Sequence, residues 1–312
     1  KYKIIDLFAG IGGIRRGFEQ ASNGQIDCVF TSEWDKYAAE TYKTNYPGET
    51  VHGDITLIDE KDIPEHDILL AGFPCQPFSQ AGLKKGFSDT RGTLFFDIER
   101  IILERKPKAF LLENVKRLKS HDNGNTLKTI LEHLKMAGYN NIQFDVLKAR
   151  DFGLPQNRER IFIVGFLDDS VAFEFPKSLD IPTRVGDILQ SRVDPKYTIS
   201  DKLWEGHQRR KRENKLKGKG FGYGIVDKNS EYTNTISARY YKDGSEVLIR
   251  QNNKNPRKLT PREAARLQGF PDSFKIEVSN NQAYKQFGNS VAVNVIEAVA
   301  KNMLDALNKA EV

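Results

Sequence analysis

Short apolar runs alternate with helical patterns along the first 165 residues of the chain. The runs are rich in β-branched and aromatic residues and predict strands at 2–8, 27–31, 51–54, 67–71 and 109–113. Between them, apolar residues recur every three or four positions, as in an amphipathic helix. This alternation predicts an α/β fold with a doubly wound, mostly parallel sheet. Two later runs, 142–147 and 161–165, are close enough in sequence to include an antiparallel strand.

The pattern changes after Phe175 and Pro176. Short β-like pieces, a basic run and a glycine-rich stretch then follow, and they predict a second, smaller and irregular β-rich domain at 179–258. The first domain would consist of 1–178 and 259–312. Apolar residues at helical spacing from Val295 onward predict a last helix, which we expect to pack on the first domain.

The composition is that of a soluble globular protein, and the cysteine content suits a reducing compartment. Of the 312 residues, 38% are hydrophobic and 29% charged, and no apolar run approaches the ~20 residues of a membrane span. The first residues resemble no signal peptide, so we expect a cytoplasmic protein without a membrane partner. The chain starts at Lys1 without Met, and we expect a few native residues to precede it. Two cysteines, Cys28 and Cys75, exclude a disulfide framework and a cysteine-rich zinc site, and we expect no metal.

The positive charge is concentrated in one stretch. The formal net charge is +6, and residues 202–219 contain eight Lys or Arg and two Glu. Such a stretch is commonly a solvated helix, but it is also typical of a surface that contacts phosphates. The adjacent glycine-rich and aromatic segment, 218–224, favours the second interpretation.

Polar residues gather where the predicted parallel strands end, which places them along one edge of the sheet. A glycine turn, 10–13, follows the first strand; it is not a dinucleotide fingerprint, because Arg15 occupies the position of the third glycine. A carboxylate at the end of the second strand, as in Glu33, commonly binds the hydroxyls of a ribose. Trp34 is placed to stack on an adenine and Asp54 to accept from its amino group. This edge therefore predicts an adenosine-type cofactor.

Cys75 follows the strand at 67–71 and begins a polar loop that runs to residue 93. An isolated cysteine is more often a buried structural residue than a nucleophile. A thiol at a strand end of an α/β sheet is nevertheless well placed for nucleophilic catalysis. Glu113 ends the next strand along the chain, so the two side chains are predicted to face one substrate. If the segment 158–160 is extended, Arg158 and Arg160 lie on the same face of it. They could then simply belong to a surface strand. Alternatively, the two side chains would together hold a substrate phosphate or orient Glu113.

With these motifs, the chain resembles the DNA (cytosine-5) methyltransferases, especially those of bacterial restriction-modification systems. The motifs occur in the family's order over most of 2–178 and 258–300. They are Phe8-Ala-Gly-Ile-Gly-Gly13, Gly72-Phe-Pro-Cys-Gln76, Glu113-Asn-Val115, Gln156-Asn-Arg-Glu-Arg160, Arg262-Glu-Ala-Ala-Arg-Leu-Gln-Gly-Phe-Pro271 and Gln286-Phe-Gly-Asn-Ser-Val291. The resemblance implies the Rossmann-like fold of methyltransferases that use S-adenosylmethionine.

The resemblance also implies a mechanism. Cys75 would add to C6 of a cytosine while Glu113 protonates N3, and C5 would take a methyl group from S-adenosylmethionine, leaving S-adenosylhomocysteine. Arg160 would contact the base and Glu113, and Arg158 the phosphate of the target nucleotide. The positions that match cofactor contacts of the family are Phe8, Gly10, Ile11, Gly12, Gly13, Glu33, Trp34, Asp54, Ile55, Gly72, Pro74, Leu94, Asn289, Ser290 and Val291.

Double-stranded DNA is the implied substrate, and the base must be flipped out because C6 cannot be reached inside a duplex. The loop 76–91 would close over it, and the small domain 179–258 would recognise the target sequence. The expected DNA contacts are Gln76, Ser79, Lys84, Lys85, Arg91, Arg209, Lys211, Lys219, Phe221, Tyr223, Thr235, Arg239 and Tyr240. For the glycine-rich segment, a turn without DNA contact stays an alternative. We expect a monomer that is paired with a restriction endonuclease.

Two other functions stay open at this stage. A cytosine-5 methyltransferase acting on transfer RNA shares these catalytic motifs, although the basic segment favours duplex DNA. An inactive DNA-binding module would keep the fold but lose Cys75 or Glu113, and both are present.

Overall fold

A computed structural model describes residues 1–73 and 94–312 of the chain. Seven residues with predicted roles lie outside these ranges: Pro74, Cys75, Gln76, Ser79, Lys84, Lys85 and Arg91. The described part divides into two compact units. The first comprises 1–147, 159–177 and 295–312, and the second comprises 148–158 and 178–294.

The order of elements follows the predicted alternation. The strands are β1 (Tyr2–Leu7), β2 (Ile26–Ser32), β3 (Val51–His52), β4 (Ile68–Gly72), β5 (Ala109–Val115), β6 (Asn141–Lys148), β7 (Glu159–Phe166), β8 (Ile225–Val226), β9 (Leu248–Gln251) and β10 (Lys254–Lys258). The helices are α1 (Gly13–Ser22), α2 (Lys36–Asn45), α3 (Phe95–Arg105), α4 (Asn125–Met136), α5 (Asp201–Leu216), α6 (Tyr240–Asp243), α7 (Pro261–Leu267), α8 (Asn280–Asn289) and α9 (Val293–Ala310).

The large sheet has the order β3-β2-β1-β4-β5-β7-β6. Strands β1 to β5 are parallel where they pair, so their carboxyl ends share one edge. The chain reverses its direction of winding between β1 and β4, which is the position where α/β sheets bind ligands. Strand β7 runs antiparallel to β5, from Ala109 opposite Phe166 to Val115 opposite Arg160. The prediction of a doubly wound, mostly parallel sheet with an antiparallel strand is confirmed.

The central strands are buried on both faces because helices cover both sides of a doubly wound sheet. In β4, Ile68, Leu69, Leu70 and Ala71 are all inaccessible to solvent. Helix α3 contributes an apolar face that belongs to the same core. The last helix also packs on this unit, as predicted, since a Cβ at Gly17 would overlap the Ile296 side chain.

The second unit contains the small sheet β10-β9-β8, in which β9 pairs antiparallel with β10 and parallel with β8. This agrees with the prediction of a small β-containing domain. The unit is larger than the predicted 179–258, because segments 148–158 and 259–294 also belong to it. The functional division of the chain stays a prediction. Within 1–73 and 94–312, no helix has the length and hydropathy of a membrane span.

Candidate active site

A glycine turn follows β1 at the point where the sheet reverses. Phe8, Gly10 and Gly12 have φ angles of 52°, 54° and 89°, in the region that favours glycine. A Cβ at Gly12 would lie 2.6 Å from the Tyr46 ring, so glycine is needed there for space as well. A Cβ at Gly10 would meet nothing within 4 Å. The turn therefore leaves open space beside its backbone, as a bound ligand requires.

Glu33, which directly follows β2, is fixed by backbone hydrogen bonds. Its Oε1 accepts from the Gly10 N–H at 2.8 Å and its Oε2 from the Asp35 N–H at 2.8 Å. Burial raises the pKa of the carboxyl above its ordinary value, and the backbone donors oppose this shift. The Trp34 backbone is a third donor to this carboxylate. Two carboxylate oxygens offer about four acceptor positions, so the group can accept a further hydrogen bond. The hydroxyls of a ribose are donors of the matching kind.

Trp34 and Asp54 lie at the ends of the neighbouring strands. Trp34 is 73% exposed, an unusual position for a large aromatic ring. Asp54 caps the short helix Ile55–Leu57 through Oδ1, which accepts from the Thr56 N–H at 2.9 Å. Arg100 of α3 donates to the Ile55 carbonyl at 2.7 Å and so fixes this helix. The described donors and acceptors thus fit an adenosine moiety.

The remaining predicted cofactor residues of the first unit are mostly buried. Ile11 and Ile55 are 2% and 3% exposed, so their side chains belong to the core. Gly13 begins α1, and the half-buried Leu94 precedes α3. Their predicted cofactor contacts stay predictions.

Glu113 and Arg160 are brought together by the pairing of β5 with β7. The Arg160 Nε lies 3.6 Å from Glu113 Oε1, and both side chains are largely buried. Gly72 of β4 is the residue opposite Glu113, and a Cβ there would lie 2.9 Å from Glu113 Oε2. The carboxylate therefore lies directly against the end of β4, the strand that leads into the Cys75 segment. The role of Glu113 as an acid that acts on the same substrate as Cys75 stays a prediction, since Cys75 lies outside the described residues.

Arg158 binds a different set of partners. Its guanidinium donates to the backbone carbonyls of Ile236, Gly288 and Ser290 at 2.8, 2.9 and 2.7 Å. The residue is only 3% exposed. The prediction that Arg158 holds a substrate phosphate beside Arg160 is not supported, because these carbonyls already orient its guanidinium.

Asn289, Ser290 and Val291 lie in the second unit, where α8 ends. Ser290 contributes the carbonyl that accepts from Arg158, and Val291 is buried. Their predicted role in cofactor binding is not tested by these contacts.

Two of the predicted DNA contacts in the second unit have structural partners. Tyr240 is fully buried; its hydroxyl donates to the Val247 carbonyl at 2.5 Å and accepts from the Leu259 N–H at 2.9 Å. The prediction that Tyr240 contacts DNA is therefore wrong. The Thr235 hydroxyl donates to the Asn157 carbonyl at 2.8 Å, so its single proton is already used. Arg239 remains exposed.

The glycine-rich segment packs on helix α5. A Cβ at Gly222 would lie 2.5 Å from the Lys211 Cα, which explains the need for glycine at this close approach. Tyr223 contacts the Trp204 ring, and Lys211 Nζ lies 4.1 Å from the Tyr223 ring centroid. Tyr223 and Lys211 therefore help to hold the segment on the helix. Arg209, Lys219 and Phe221 present exposed side chains.

Sequence reasoning missed two buried polar residues. Gln156 is inaccessible and binds Leu267, Gln268 and Ile236. Asp6 is a carboxylate in the buried part of β1, next to Ile4, Ile5 and Leu7, and accepts from the Tyr42 hydroxyl at 3.0 Å. A charged residue inside a strand-like run is a signal that would have identified Asp6. For Gln156, whose partners are distant in sequence, no comparable signal exists.

Comparison with known proteins agrees with this geometry. The family model described as C-5 cytosine-specific DNA methylase matches residues 2–305. The chain belongs to this family. It is 69% identical to the Type II methyltransferase M.NlaX of Neisseria lactamica, over 98% of this chain and 97% of that protein. It is 65% identical to the Type II methyltransferase M1.ScrFI of Lactococcus lactis, over 100% of this chain and 80% of that protein.

The fold is shared with more distant members of the methyltransferase group. The crystal structure of S. pombe Dnmt2 methyltransferase matches with a TM-score of 0.81 and 22% identity, over 99% of this chain and 100% of that one. This likeness confirms the α/β fold. The family match and the identities to the Type II methyltransferases confirm the predicted resemblance to DNA (cytosine-5) methyltransferases. As a C-5 cytosine DNA methylase, the chain is an enzyme that methylates cytosine in DNA.

Proposed function

We propose that the enzyme transfers a methyl group from S-adenosylmethionine to C5 of one cytosine within a specific short sequence of double-stranded DNA. The observation that carries this proposal is the Glu113 carboxylate, which lies against Gly72 at the end of β4 and 3.6 Å from Arg160. An acid fixed beside a cation at the edge of the sheet suits a group that must exchange a proton with a base at a fixed position. The family membership supplies the identity of that base.

The edge formed by β1, β2 and β3 would hold the cofactor. Glu33 would accept from the ribose hydroxyls, Trp34 would stack on the adenine and Asp54 would accept from its amino group. When bound there, S-adenosylmethionine supplies the methyl group. The open space beside Gly10 and the exposure of Trp34 support this assignment.

The chemistry of the protein's own residues follows from the resemblance. The Cys75 thiolate would form a bond to C6 of a flipped cytosine, and Glu113 would give a proton to N3, so that the ring carries no net negative charge. Once C5 carries the methyl group and S-adenosylhomocysteine has been released, the C5 proton would pass to a solvent water. The electron pair of that C–H bond re-forms the C5–C6 double bond, so that the C6–S bond breaks, Cys75 leaves as a thiolate and Glu113 recovers its proton from N3. Arg160 would orient Glu113 throughout. Cys75 lies outside 1–73 and 94–312, so its role rests on the family alone.

DNA recognition would be a task of the second unit. Arg209, Lys219, Phe221 and Arg239 are exposed and basic or aromatic, which suits contacts with phosphates and bases. The residues Ser79, Lys84, Lys85 and Arg91 would contact the DNA backbone from the loop that follows Cys75. We also propose that the enzyme acts as a monomer in the bacterial cytoplasm, paired with a restriction endonuclease, as the Type II names of its relatives suggest.

Incubation with labelled S-adenosylmethionine tests the proposal. Duplex DNA and transfer RNA are offered in parallel, and label in cytosine of the duplex is the expected result. Label that enters only transfer RNA would refute the proposed substrate. DNA containing 5-fluorocytosine should trap a covalent adduct, because fluorine cannot leave C5 as a proton does.

A further inference from the structure

Residues 233–239 of the second unit form a segment, here called the recognition segment, whose backbone is held by its neighbours. The Thr233 N–H donates to the Pro155 carbonyl at 2.8 Å, and the Asn157 N–H donates to the Thr233 carbonyl at 2.8 Å. Glu246 accepts from the Ser237 hydroxyl at 3.2 Å. The segment includes Thr235, one of the expected DNA contacts.

Two buried side chains bind the centre of this segment. The Ile236 N–H donates to Gln156 Oε1 at 3.1 Å, and the Ile236 carbonyl accepts from Arg158 at 2.8 Å. Gln156 and Arg158 are 0% and 3% exposed. Both backbone polar groups of Ile236 are therefore bound by side chains two residues apart in the 148–158 segment.

The same two side chains bind a second segment, residues 287–291, which comprises the last turn of α8 and the two residues after it and is called here the C-terminal loop. Arg158 donates to the Gly288 and Ser290 carbonyls at 2.9 and 2.7 Å. Gln156 donates to Gln268, whose amide donates to the Phe287 carbonyl at 2.7 Å. The two segments also touch directly, since a Cβ at Gly288 would overlap the Ser237 carbonyl.

We propose that Arg158 is a positioning residue that couples the recognition segment to the C-terminal loop, with Gln156 as a second link. The planar guanidinium carries five N–H groups in fixed directions and can bind carbonyls of both segments at once. The inference rests on the proposed function and on two expectations from the sequence, namely that Thr235 contacts DNA and that Asn289, Ser290 and Val291 contact the cofactor. When DNA orders the recognition segment, it thereby also orders the C-terminal loop. DNA and the cofactor then strengthen each other's binding by the same factor.

The Arg158→Lys variant tests this coupling. Lysine keeps the charge but has no rigid fork, so it cannot hold the carbonyls of both segments in place. The measurement is the dissociation constant of S-adenosylhomocysteine by titration calorimetry, with and without a duplex that carries the methylated site. For the reference chain we expect the duplex to tighten binding by about 5- to 150-fold, the usual range of such couplings. The coupling ratio is the dissociation constant without the duplex divided by that with the duplex. In the Arg158→Lys variant this ratio should fall towards one. An unchanged ratio in the variant, or a ratio of one in the reference chain, would overturn the inference.

Arg257→Lys is the matched control. Arg257 is also buried, is also in the second unit and forms a bidentate ion pair with Glu263, at 2.7 and 2.9 Å. Its substitution should lower the melting temperature yet leave the ratio unchanged. If the Arg158→Lys variant does not fold, the Gln156→Met variant replaces it in the test. Methionine has a similar volume but cannot form the hydrogen bonds of Gln156, so the ratio should also fall. A folded Gln156→Met protein with the ratio of the reference chain would contradict the proposal. If the reference chain methylates DNA but the variants keep its full coupling ratio, this inference is refuted. The proposed function would then still stand, because the methylation itself supports it.

Discussion

Glu113 lies against the backbone of a neighbouring strand, so its position depends on the absence of a side chain at residue 72. The Gly72 Cα is opposite Glu113, and the nearest atom to a Cβ there is the carboxylate oxygen itself. Because this oxygen is the end of a flexible side chain, the added methyl group would displace the carboxylate without disrupting the core. At the scale of the residue, the account thus predicts a change in catalysis separate from a change in stability.

Gly72→Ala should therefore lower kcat on the order of 100-fold, the usual cost of a displacement of about 1 Å in a catalytic group. The melting temperature should change little. Gly206→Ala makes the same chemical change in helix α5, where a Cβ meets nothing within 4 Å, and should keep full activity. Methylation rates of both variants at saturating DNA and cofactor check this. Full activity of Gly72→Ala would contradict the position assigned to the Glu113 carboxylate.

The buried Asp6 carboxyl predicts a pH dependence of stability. Burial raises its pKa from 3.8 to about 7. The folded state then binds more protons than the unfolded state between these values, so this group lowers the free energy of unfolding as the pH rises through that window. The Asp6→Asn variant lacks this titrating group. The free energy of unfolding of the variant minus that of the reference chain should therefore increase from pH 4 to pH 7 and then level off. Urea unfolding at several pH values measures this. A constant difference between the two proteins would contradict the prediction.

At the scale of the element, the sequence predicted the strands and the shared edge correctly because burial on both faces requires continuous apolar runs. The roles of Glu33 and Asp54 as strand-end carboxylates follow from the same pattern. The partners of Arg158 could not be predicted, since they are 78, 130 and 132 residues away in sequence. Tyr240 was misassigned because a tyrosine in a polar stretch looks exposed, whereas its hydroxyl is satisfied by two backbone groups in the interior.

Helix α5 and the glycine-rich segment present the basic surface proposed for DNA. Arg209→Gln and Lys219→Gln should each weaken binding to all duplexes alike and reduce the slope of log K against log salt by about one. Filter binding of duplexes with and without the methylated site, at several salt concentrations, checks this. Lys309→Gln, the same charge change in helix α9, serves as the control. Loss of affinity for only one duplex would instead assign these side chains to base reading.

At the scale of the whole molecule, the first unit contains the predicted acid Glu113 and the strand-end residues proposed for the cofactor. The second unit contains the exposed basic and aromatic side chains proposed for DNA, together with the buried Arg158 and Gln156. The family membership assigns the reaction to the whole chain, since the match covers residues 2–305. We propose that the choice of target sequence depends on the second unit.

Bisulfite sequencing of duplex DNA treated with the purified enzyme and S-adenosylmethionine shows which cytosines carry a methyl group at C5. We expect protection of one cytosine in a single short recurring sequence, and no protection with the Cys75→Ser variant. Cytosines that stay unprotected with the reference chain, or protection that persists with Cys75→Ser, would contradict the proposed function.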